Sequence, residues 1–389
     1  MMLLEGVRVL EFGHVWSGPY CGQVLADLGA EVIRVESSIH VDVHRRAGPY
    51  PDNVPGINRS GVWNAQNRGK LSCRLNLKTP EGLELARRLV AISHVVVENM
   101  APGVMARLGL GHEDLQRINR DLVTVSLTGY GQDGPWRDFP AYGPMLDAVA
   151  GMSWAARADD GVPQSVNGWF PDTTAALFGA VAALHGLTRA GHGGYYADIA
   201  QLEATVALFP ELMALASLDL PDPSGANEVP SGAAFVLPCT GEDEWLSVVV
   251  DSEACWSRLQ AILGVRSPVP FAEARTTRER LAQLSAARSR DALVGALQDV
   301  GVEAAPVLAA DDLLQDEVLR ARGAFVVVEH AEVGAFETYG PIAGGPDWAP
   351  PARALPAPCL GEHDAYVFEA LLGLSATETE RLKASGVIA

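Results

Sequence analysis

The sequence predicts an α/β fold, and three observations support that prediction. Short apolar strands alternate with helical segments in the N-terminal part, a helix connects the first two strands, and the composition supplies a large core. Of the 389 residues, 48% are hydrophobic and 20% are charged, which is typical of a globular rather than a disordered protein. Since a domain has about 100–200 residues, we expect two or three domains.

The first strand, helix and strand set the topology of the sheet. Residues 7–12 are a strand run, residues 13–19 a turn, residues 20–28 a segment with helical spacing, and residues 30–36 a second strand run. Because such crossovers are right-handed, the two strands are expected to be parallel. The turn after the first strand lies where a doubly wound sheet binds its ligand.

The alternation resumes after an irregular stretch that ends near Gly69. Thr79 and Pro80 match an N-cap followed by proline at the first helical position, which predicts a helix over residues 80–93. The other elements predicted in this part are strands at residues 71–77, 94–98, 122–127 and 195–199, and helices at residues 113–119 and 172–190.

The segment after a proline-rich break at residues 220–225 differs in charge from the rest of the chain. Between residues 222 and 320, 16 acidic residues outnumber 8 basic ones, a net charge of −8. This shift predicts a smaller second domain. Its predicted elements are a strand at residues 245–250 and helices at residues 253–263 and 288–299, and the tail over residues 367–385 is predicted to be mostly helical.

Composition and charge exclude several classes of protein. The 48 acidic and 29 basic side chains give a net charge of −19, whereas nucleic-acid binding needs a basic surface. The longest uncharged run, residues 173–188, is shorter than the roughly 20 residues of a membrane span, and the N-terminus lacks the basic region of a signal peptide. Five cysteines without CxxC spacing predict reduced thiols and a cytoplasmic location.

Two features indicate a ligand, and each has an alternative explanation. Residues 129–134 match GxGxxG, but Pro135 follows and no helix start is predicted there, so a nicotinamide-dependent oxidoreductase is an alternative only. Six basic residues from Arg68 to Arg88, including Lys70, outnumber two acidic ones. That charge suits a phosphorylated small molecule or, alternatively, an ordinary solvated helix face.

Signals of catalysis are sparse. No HExxH string and no GxSxG elbow is present, so neither a metal site nor a serine triad is expected. Asp172 stands where the long apolar helix begins. An aspartate there is most often an N-cap, yet a carboxylate nucleophile also needs a site that keeps it ionised, as a helix dipole does. The pattern alone leaves both interpretations open.

Eight short motifs follow one another along nearly the whole chain. They are residues 4–12 (LEGVRVLEF), 17–19 (SGP), 28–36 (LGAEVIRVE), 75–82 (LNLKTPEG), 97–103 (VENMAPG), 126–135 (SLTGYGQDGP), 305–307 (APV) and 360–363 (LGEH). Each motif is weak by itself, but their order is specific. Together they resemble the class III CoA-transferases, of the formyl-CoA transferase and carnitine CoA-transferase type.

The resemblance implies an enzyme that moves CoA from an acyl-CoA donor to a free carboxylic acid. Asp172 stands at the position of the family's catalytic aspartate, which forms an acyl anhydride and then an aspartyl-CoA thioester. Charge clustering suggests Arg68 and Lys70 for the phosphate end of CoA. The family's CoA contacts carry over to Val15, Trp16, Leu71, Asn99, Met100 and Arg107.

The resemblance also implies the architecture, a large Rossmann-like domain built from both chain ends and a smaller α+β domain, in an interlocked homodimer. We therefore expect residues 1–205, completed by residues 335–389, as the CoA-binding domain. Residues 225–320 are expected as the small domain, with linkers at residues 206–224 and 321–334. CoA is expected as a substrate, with no permanently bound cofactor and no membrane or nucleic-acid partner.

Departures from the family pattern affect the expected substrate. Trp16 replaces a glutamine of formyl-CoA transferases, and their glycine-rich loop is reduced to residues 231–234. Together with Trp169, this predicts a bulkier or more apolar acyl group than formate or oxalate. The related α-methylacyl-CoA racemases use a histidine that would fall within residues 129–143, where this chain has none. A racemase and a non-catalytic acyl-CoA binder are further alternatives.

Overall fold

The described chain forms two compact units. The computed structural model describes residues 2–157, 161–166, 169–189, 191–219, 232–341 and 355–389. The first unit comprises Met1–Met152, Ser165–Pro210 and Leu319–Ala389, and the second comprises Ser153–Gln164 and Glu211–Val318. Residues 220–224 of the expected linker and Ser231 of the reduced glycine-rich loop lie outside the described residues.

A six-stranded parallel sheet forms the centre of the first unit. Its strands are β1 Arg8–Phe12, β2 Glu31–Glu36, β3 Leu71–Arg74, β4 Val95–Glu98, β5 Val123–Thr128 and β6 Tyr195–Ala200. The order β3-β2-β1-β4-β5-β6 and the parallel pairing of β1 with β2 confirm the predicted crossover. Since β1 is flanked by β2 on one side and by β4 on the other, a crevice opens at the carboxyl ends of β1 and β4.

Helices pack on both faces of this sheet. The helices of the first unit between residues 17 and 206 are α1 Ser17–Asp27, α2 Gly61–Gln66, α3 Pro80–Ala91, α4 Val104–Arg107, α5 His112–Ile118, α6 Gly143–Val149, α8 Phe170–Thr188 and α9 Gln201–Val206, while α7 Met152–Ala155 spans the chain boundary between the units. On one face, Leu89 of α3, Leu115 of α5 and Phe368 of the C-terminal segment are buried in one hydrophobic core. On the other face, Leu25 of α1 and Ala180 of α8 belong to a second core.

Helix α8 lies close to the sheet because alanine and glycine form its inner face. A Cβ atom added at Gly186 would lie 2.6 Å from Val123 Cγ1, so no larger residue fits there without displacement. The outer face of α8 is apolar and open, with Phe178 41% exposed and Val181 63% exposed. Large contiguous apolar patches mark interaction surfaces, whereas single exposed apolar side chains are common.

Helix α8 begins two residues earlier than the sequence predicted. Trp169 occupies the N-cap position without a side-chain capping bond, Phe170 is the first helical residue and Pro171 the second. Proline is tolerated there because the first amides of a helix have no intrahelical acceptor. Asp172 is therefore the third helical residue, and the N-cap interpretation of Asp172 is wrong.

The second unit contains a three-stranded antiparallel sheet with helices packed on it. Helices α10 Pro210–Ser217 and α15 Glu317–Ala321 lie at its boundaries in the chain. Its strands are β7 Ala233–Pro238, β8 Trp245–Val250 and β9 Glu303–Val307, and its helices are α11 Glu253–Leu263, α12 Arg278–Ser285, α13 Arg290–Asp299 and α14 Ala310–Gln315. Trp256, Leu246 and Val248 are buried in its core. The bounds of β8 and α11 agree with the prediction.

The C-terminal segment returns to the first unit. It forms a hairpin of β10 Phe325–His330 and β11 Gly334–Tyr339, which was not predicted. The predicted tail helix is two helices, a π-helical turn Tyr366–Leu371 and α16 Ala376–Ala384. Short 3-10 helices occupy Val43–Arg46, Pro51–Asn53 and Phe271–Thr277.

Three further features concern the expected chemistry. No helix in the described ranges is long and apolar enough to cross a membrane. All five cysteines are free thiols. The described part of the chain holds no group of three or more His, Cys, Asp or Glu side chains that could bind a metal ion.

Candidate active site

A cavity of about 510 Å³ lies at the carboxyl ends of β1, β4 and β5. Its walls come from the loops after these strands, from residues 137–144, and from the starts of α8 and α9. Parallel strands place their carboxyl ends at one edge of the sheet, so residues distant in sequence meet here. The polar and aromatic side chains of the wall include His14, Asn99, Tyr130, Arg137, Trp169, Asp172 and Gln201.

Asp172 lies in the wall of this cavity, in the first turn of α8. Gln201, the first residue of α9, donates from Nε2 to Asp172 Oδ1 at 3.0 Å. Gln201 is only 6% exposed, and its hydrogen bond to Asp172 is partly buried at the cavity wall. One oxygen of the carboxylate is therefore held by a fixed amide donor.

The pKa of Asp172 departs from its ordinary value. Burial raises this pKa to about 6, the hydrogen bond from Gln201 opposes the rise, and the carboxyl of Asp147 adds to it. The sequence suggested that the helix dipole and nearby amide groups would keep the Asp172 carboxyl ionised. The net shift is upward because desolvation is the largest cause, while a backbone hydrogen bond at Asp172 also opposes it. A pKa of about 6 leaves most Asp172 carboxyls ionised at pH 7.

The turn between β1 and α1 forms a strained wall of the cavity. Val15 has a φ of 62°, a left-handed conformation that β-branched residues rarely adopt. Val15 N donates to Asp42 Oδ2 at 3.0 Å. The side chain of Asn99 makes two hydrogen bonds to the backbone of His14, the residue before Val15. It accepts from His14 N and donates to His14 O, both at 2.8 Å. These bonds hold the turn in its strained shape.

A buried ion network lies beneath this turn, consisting of Glu11, Arg34, Asp42 and Lys70. Arg34 donates to Glu11 Oε1 at 3.0 Å and to Asp42 Oδ2 at 2.5 Å, and Lys70 donates to Glu11 Oε2 at 2.8 Å. Each of the four side chains belongs to a residue that is 3% exposed or less. Two positive and two negative charges thus compensate one another inside the fold.

Arg68 and Lys70, the predicted phosphate contacts, are neutralised within the fold. Arg68 is 1% exposed, donates to both carboxylate oxygens of Asp27 at 3.1–3.2 Å, and lies over the ring of Tyr339. Lys70 belongs to the buried ion network, and neither residue lines the cavity. The prediction that these two residues bind phosphate is therefore wrong, because Asp27 and Glu11, distant in sequence, already pair with them.

Arg107 and Arg137 provide positive charge beside the cavity instead. A Cβ atom added at Gly103 would lie 3.1 Å from Arg107 Nη1 and 3.5 Å from Arg137 Nη2, so both guanidinium groups border this glycine. Arg107 is exposed. Arg137 lines the cavity with its side chain 41% exposed. We call Arg107 and Arg137 the arginine pair.

Two stacked indoles lie next to Asp172. The rings of Trp16 and Trp169, called here the tryptophan pair, stack with centroids 4.4 Å apart. The ring of His44 meets both edge-on, and Trp16 Nε1 donates to Thr173 Oγ1 at 3.0 Å. Trp169 lines the cavity and is 42% exposed. The tryptophan pair therefore gives the cavity a rigid aromatic wall beside the carboxylate.

The GxGxxG loop at residues 129–134 has no helix behind it. The next helix, α6, begins only at Gly143. Gln132 fastens the loop, donating from Nε2 to Glu98 Oε1 at 3.3 Å and from its backbone N to Asp198 Oδ2 at 2.8 Å. A dinucleotide pyrophosphate would need a helix N-terminus directly after the glycines, so the loop does not support NAD binding.

The structure brings together some of the predicted CoA contacts. Val15, Asn99 and Met100 line the cavity together with Asp172. Trp16 adjoins it through the tryptophan pair. Leu71 is not part of the cavity lining, because it starts β3 and packs against the hydrophobic core of the α3 face.

Sequence reasoning missed Gln201 and Arg137. Gln201 stands two residues after the end of the predicted strand at residues 195–199, and a polar residue near the carboxyl end of a parallel strand is a recognisable signal. Arg137 lies in a loop without periodicity, where sequence patterns give no signal.

Comparison with known proteins identifies the family. The sequence profile of CoA-transferase family III matches residues 4–364. This chain belongs to CoA-transferase family III. It is 31% identical to the succinyl-CoA–D-citramalate CoA-transferase of Chloroflexus aurantiacus, across 99% of this chain and 98% of that protein. It is 32% identical to the succinate–glutarate CoA-transferase of Agrobacterium fabrum, across 97% of each.

A solved structure agrees in fold. The crystal structure of a CaiB/BaiF family protein from Brucella suis superposes with a TM-score of 0.85 at 28% identity, covering 95% of this chain and 99% of the other. The predicted family resemblance and the enzyme class are confirmed. An oxidoreductase or a non-catalytic binder does not agree with that class.

Proposed function

We propose that this family III enzyme transfers CoA from an acyl-CoA to a free carboxylic acid, with Asp172 as the nucleophile. The observation that supports this role is a carboxylate in the cavity wall with one oxygen held by Gln201. Asp172 attacks the thioester carbonyl carbon and CoA thiolate leaves, which gives a mixed anhydride. The thiolate then adds to the Asp172 carbonyl carbon and the donor acid leaves. The acceptor acid takes over CoA by the reverse of both steps.

The surroundings of Asp172 suit this chemistry. A pKa of about 6 leaves the carboxylate ionised at neutral pH while burial keeps its hydration low. A poorly hydrated carboxylate reacts readily with a carbonyl carbon, and an anhydride survives only where water is excluded. Each step exchanges a thiolate and a carboxylate, so the sequence of steps is balanced without a proton, a metal ion or a redox cofactor.

The arginine pair is proposed to bind the phosphate end of CoA. Its two guanidinium groups border Gly103 and lie beside the cavity. Guanidinium groups bind phosphate oxygens through paired hydrogen bonds. The pantetheine arm is proposed to lie along the turn at Val15 and the loop at Asn99 and Met100, which lead from this surface to Asp172.

The tryptophan pair is proposed to face the acyl group. Trp169 is half-buried in the wall that also holds Asp172. A flat indole surface favours apolar or aromatic groups and offers few donors to a small carboxylate such as oxalate. The proposed donors and acceptors are therefore acids with an apolar or aromatic body rather than formate or oxalate.

A homodimer is proposed as the assembled state, and the interlocked arrangement is its proposed form. The open apolar face of α8 supports a covered surface, since Phe178 and Val181 are exposed on a helix whose other face is buried. A species of about 41 kDa by light scattering at micromolar concentration, the mass of one chain, would contradict it.

We also propose a cytoplasmic enzyme without a permanently bound cofactor. Free thiols at all five cysteines suit a reducing compartment. The proposed exchange steps need only the substrates and Asp172.

A racemase is the second candidate function, and one observation favours it. His14 lines the same cavity as Asp172, and burial lowers the pKa of His14, which keeps its imidazole neutral as a base must be. This function predicts exchange of the substrate's α-hydrogen with solvent deuterium. CoA transfer predicts no such exchange.

The test is a screen of acyl-CoA and acid pairs by mass spectrometry, with one acid of each pair isotopically labelled. We expect CoA to move to the labelled acid, with higher kcat/KM for apolar or aromatic acids than for formate or oxalate, and we expect Trp169→Ala to reduce that preference. Deuterium incorporation without CoA transfer would favour the racemase and contradict the proposal.

A further inference from the structure

Gln201 is placed to do more than orient Asp172. Its side chain is buried at the first position of α9 and lies 3.0 Å from Asp172 Oδ1. The start of α9 is fixed, because Leu202 N donates to Gly129 O at 3.0 Å and Thr205 Oγ1 donates to Gln201 O at 2.7 Å. The amide donor therefore has a fixed position relative to one carboxylate oxygen.

The chemistry of the proposed reaction gives this oxygen a particular role. When one oxygen of Asp172 forms the bond to the acyl group, the other becomes the aspartyl carbonyl oxygen of the mixed anhydride. A nucleophile that adds to the Asp172 carbonyl carbon moves the carbonyl electron pair onto that oxygen. A donor held on Oδ1 therefore meets negative charge as it develops, which is the role of an oxyanion-hole donor.

We propose that the Gln201 amide is the oxyanion donor for every addition to the Asp172 carbonyl carbon. In the first such step, CoA thiolate adds to Cγ of the anhydride and the charge on Oδ1 is stabilised by Gln201. The carbonyl re-forms, the bond from Cγ to the bridging oxygen breaks, and the donor acid leaves as its carboxylate. In the second, the acceptor carboxylate adds to Cγ of the thioester and CoA thiolate leaves. This inference rests on the proposed function.

The first and last additions of the cycle take place at the acyl carbon of the substrate, so their oxyanion lies on a substrate oxygen. Gln201 therefore acts on formation and consumption of the aspartyl-CoA thioester and leaves binding of CoA unchanged. A role that only tuned the pKa of Asp172 would differ, because the hydrogen bond lowers that pKa. A variant without it would then lose rate at low pH and regain it once Asp172 is fully ionised.

The experiment compares Gln201→Met, which has similar length but no donor, with Gln315→Met as a matched control at the exposed end of α14. Single-turnover quench followed by intact mass spectrometry measures how fast the CoA adduct forms with acyl-CoA and no acceptor, from pH 6 to pH 9. We expect adduct formation in Gln201→Met to be slower by about 10²–10³-fold at every pH, with the dissociation constant for CoA unchanged. The control should match the wild type.

Recovery of the wild-type rate at pH 9 would show a pKa effect only and overturn the inference, as would a wild-type rate at all pH values. If Gln201→Met does not fold, Gln201→Glu keeps the shape, cannot donate once ionised, and is subject to the same criteria at pH 9. The Asp172→Asn variant separates the two claims. An active Asp172→Asn refutes the nucleophile, whereas an inactive one beside a fully active Gln201→Met refutes only the role of Gln201.

Discussion

Two neighbouring polar regions of the first unit differ in how their charged side chains are paired. In the buried ion network, Arg34 and Lys70 pair with Glu11 and Asp42, and all four residues are almost fully buried. In the neighbouring cavity, Asp172 is held by the neutral Gln201, and the arginine pair stays partly exposed. The network shapes the turn at the cavity, while the charges of the cavity are available to a substrate.

This difference separates charged side chains that stabilise the fold from those that are candidates for function. A buried charge with a full set of internal partners stabilises structure, and removing one partner leaves the other uncompensated. A charge that faces a cavity with neutral partners has its pKa set by burial, as for Asp172, and such groups are candidates for chemistry. Substitutions in the two regions should therefore fail in different ways.

Substitution of Asp172 should have the largest effect. Asn keeps the shape and the oxygen that accepts from Gln201 but cannot form an anhydride, so we expect kcat/KM of Asp172→Asn to fall by at least about 10³-fold. Its melting temperature at pH 8 should equal or exceed that of the wild type. Because burial raises the pKa of Asp172 to about 6, the ionised carboxylate opposes folding above that pH.

The matched control for this substitution is Asp291→Asn. Asp291 also lies in the first turn of a helix, α13, but is exposed in the second unit. It should keep full activity. Retention of more than about a tenth of the activity in pure Asp172→Asn would refute the nucleophile.

Lys70→Met should reduce stability rather than substrate binding. It removes the hydrogen bonds of Lys70 Nζ to Glu11 and Asn67, at 2.8 and 2.9 Å, and leaves Glu11 short of one counter-charge in a dry site. We expect the free energy of unfolding from urea titration to fall by about 3–5 kcal/mol. The KM for acyl-CoA, measured on the folded fraction, should stay unchanged. A raised KM with normal stability would instead indicate that Lys70 binds the phosphate end of CoA.

The arginine pair should show the opposite behaviour. Arg107→Gln and Arg137→Gln should each raise the KM for acyl-CoA about tenfold, since a charge-assisted contact contributes about 1.5 kcal/mol or more, with kcat and melting temperature little changed. Arg117→Gln, on the outer face of α5 with a side chain 70% exposed, is the control and should leave KM unaltered. An unchanged KM in both variants would rule out this docking surface.

The smallest of these effects near pH 7 should be the pH dependence of kcat/KM. Only the ionised carboxylate is a nucleophile, so kcat/KM should fall as the pH drops through about 6 and then decline about tenfold per pH unit. Burial also raises the pKa of Glu98 to about 6. If Asp172 causes the loss of kcat/KM at low pH, the Glu98→Gln variant should show the same loss. If kcat/KM of that variant no longer falls at low pH, the titrating group is Glu98.

The sequence predicted the sheet better than the charges around it. Thr79 caps α3 as predicted, with Gly82 N 3.0 Å from its Oγ1, because a cap depends on residues close in sequence. Arg68 and Lys70 were misjudged because their partners, Asp27 and Glu11, are 41 and 59 residues away. Local charge counts cannot show such pairing, since only the folded chain brings these residues together.

The candidate site was also predictable only where its signals are local in sequence. Asp172 was found from its place before an apolar helix and from the family motifs, and Val15 and Asn99 from those motifs alone. The helix start at Phe170 was missed because a tryptophan N-cap without a side-chain bond gives no local signal. Gln201 had a signal in its place near the end of a parallel strand, but its hydrogen bond to Asp172 depends on how α9 packs beside α8.

The most direct test of the account is the identity of the covalent enzyme intermediate. Wild-type enzyme incubated with acyl-CoA and no acceptor, quenched in acid and measured by intact mass spectrometry, should gain the mass of CoA less one water. Peptide mapping should place that gain on Asp172, and Asp172→Asn should gain nothing. Turnover without any adduct on Asp172, or the same adduct in Asp172→Asn, would contradict the central claim that Asp172 carries CoA between donor and acceptor.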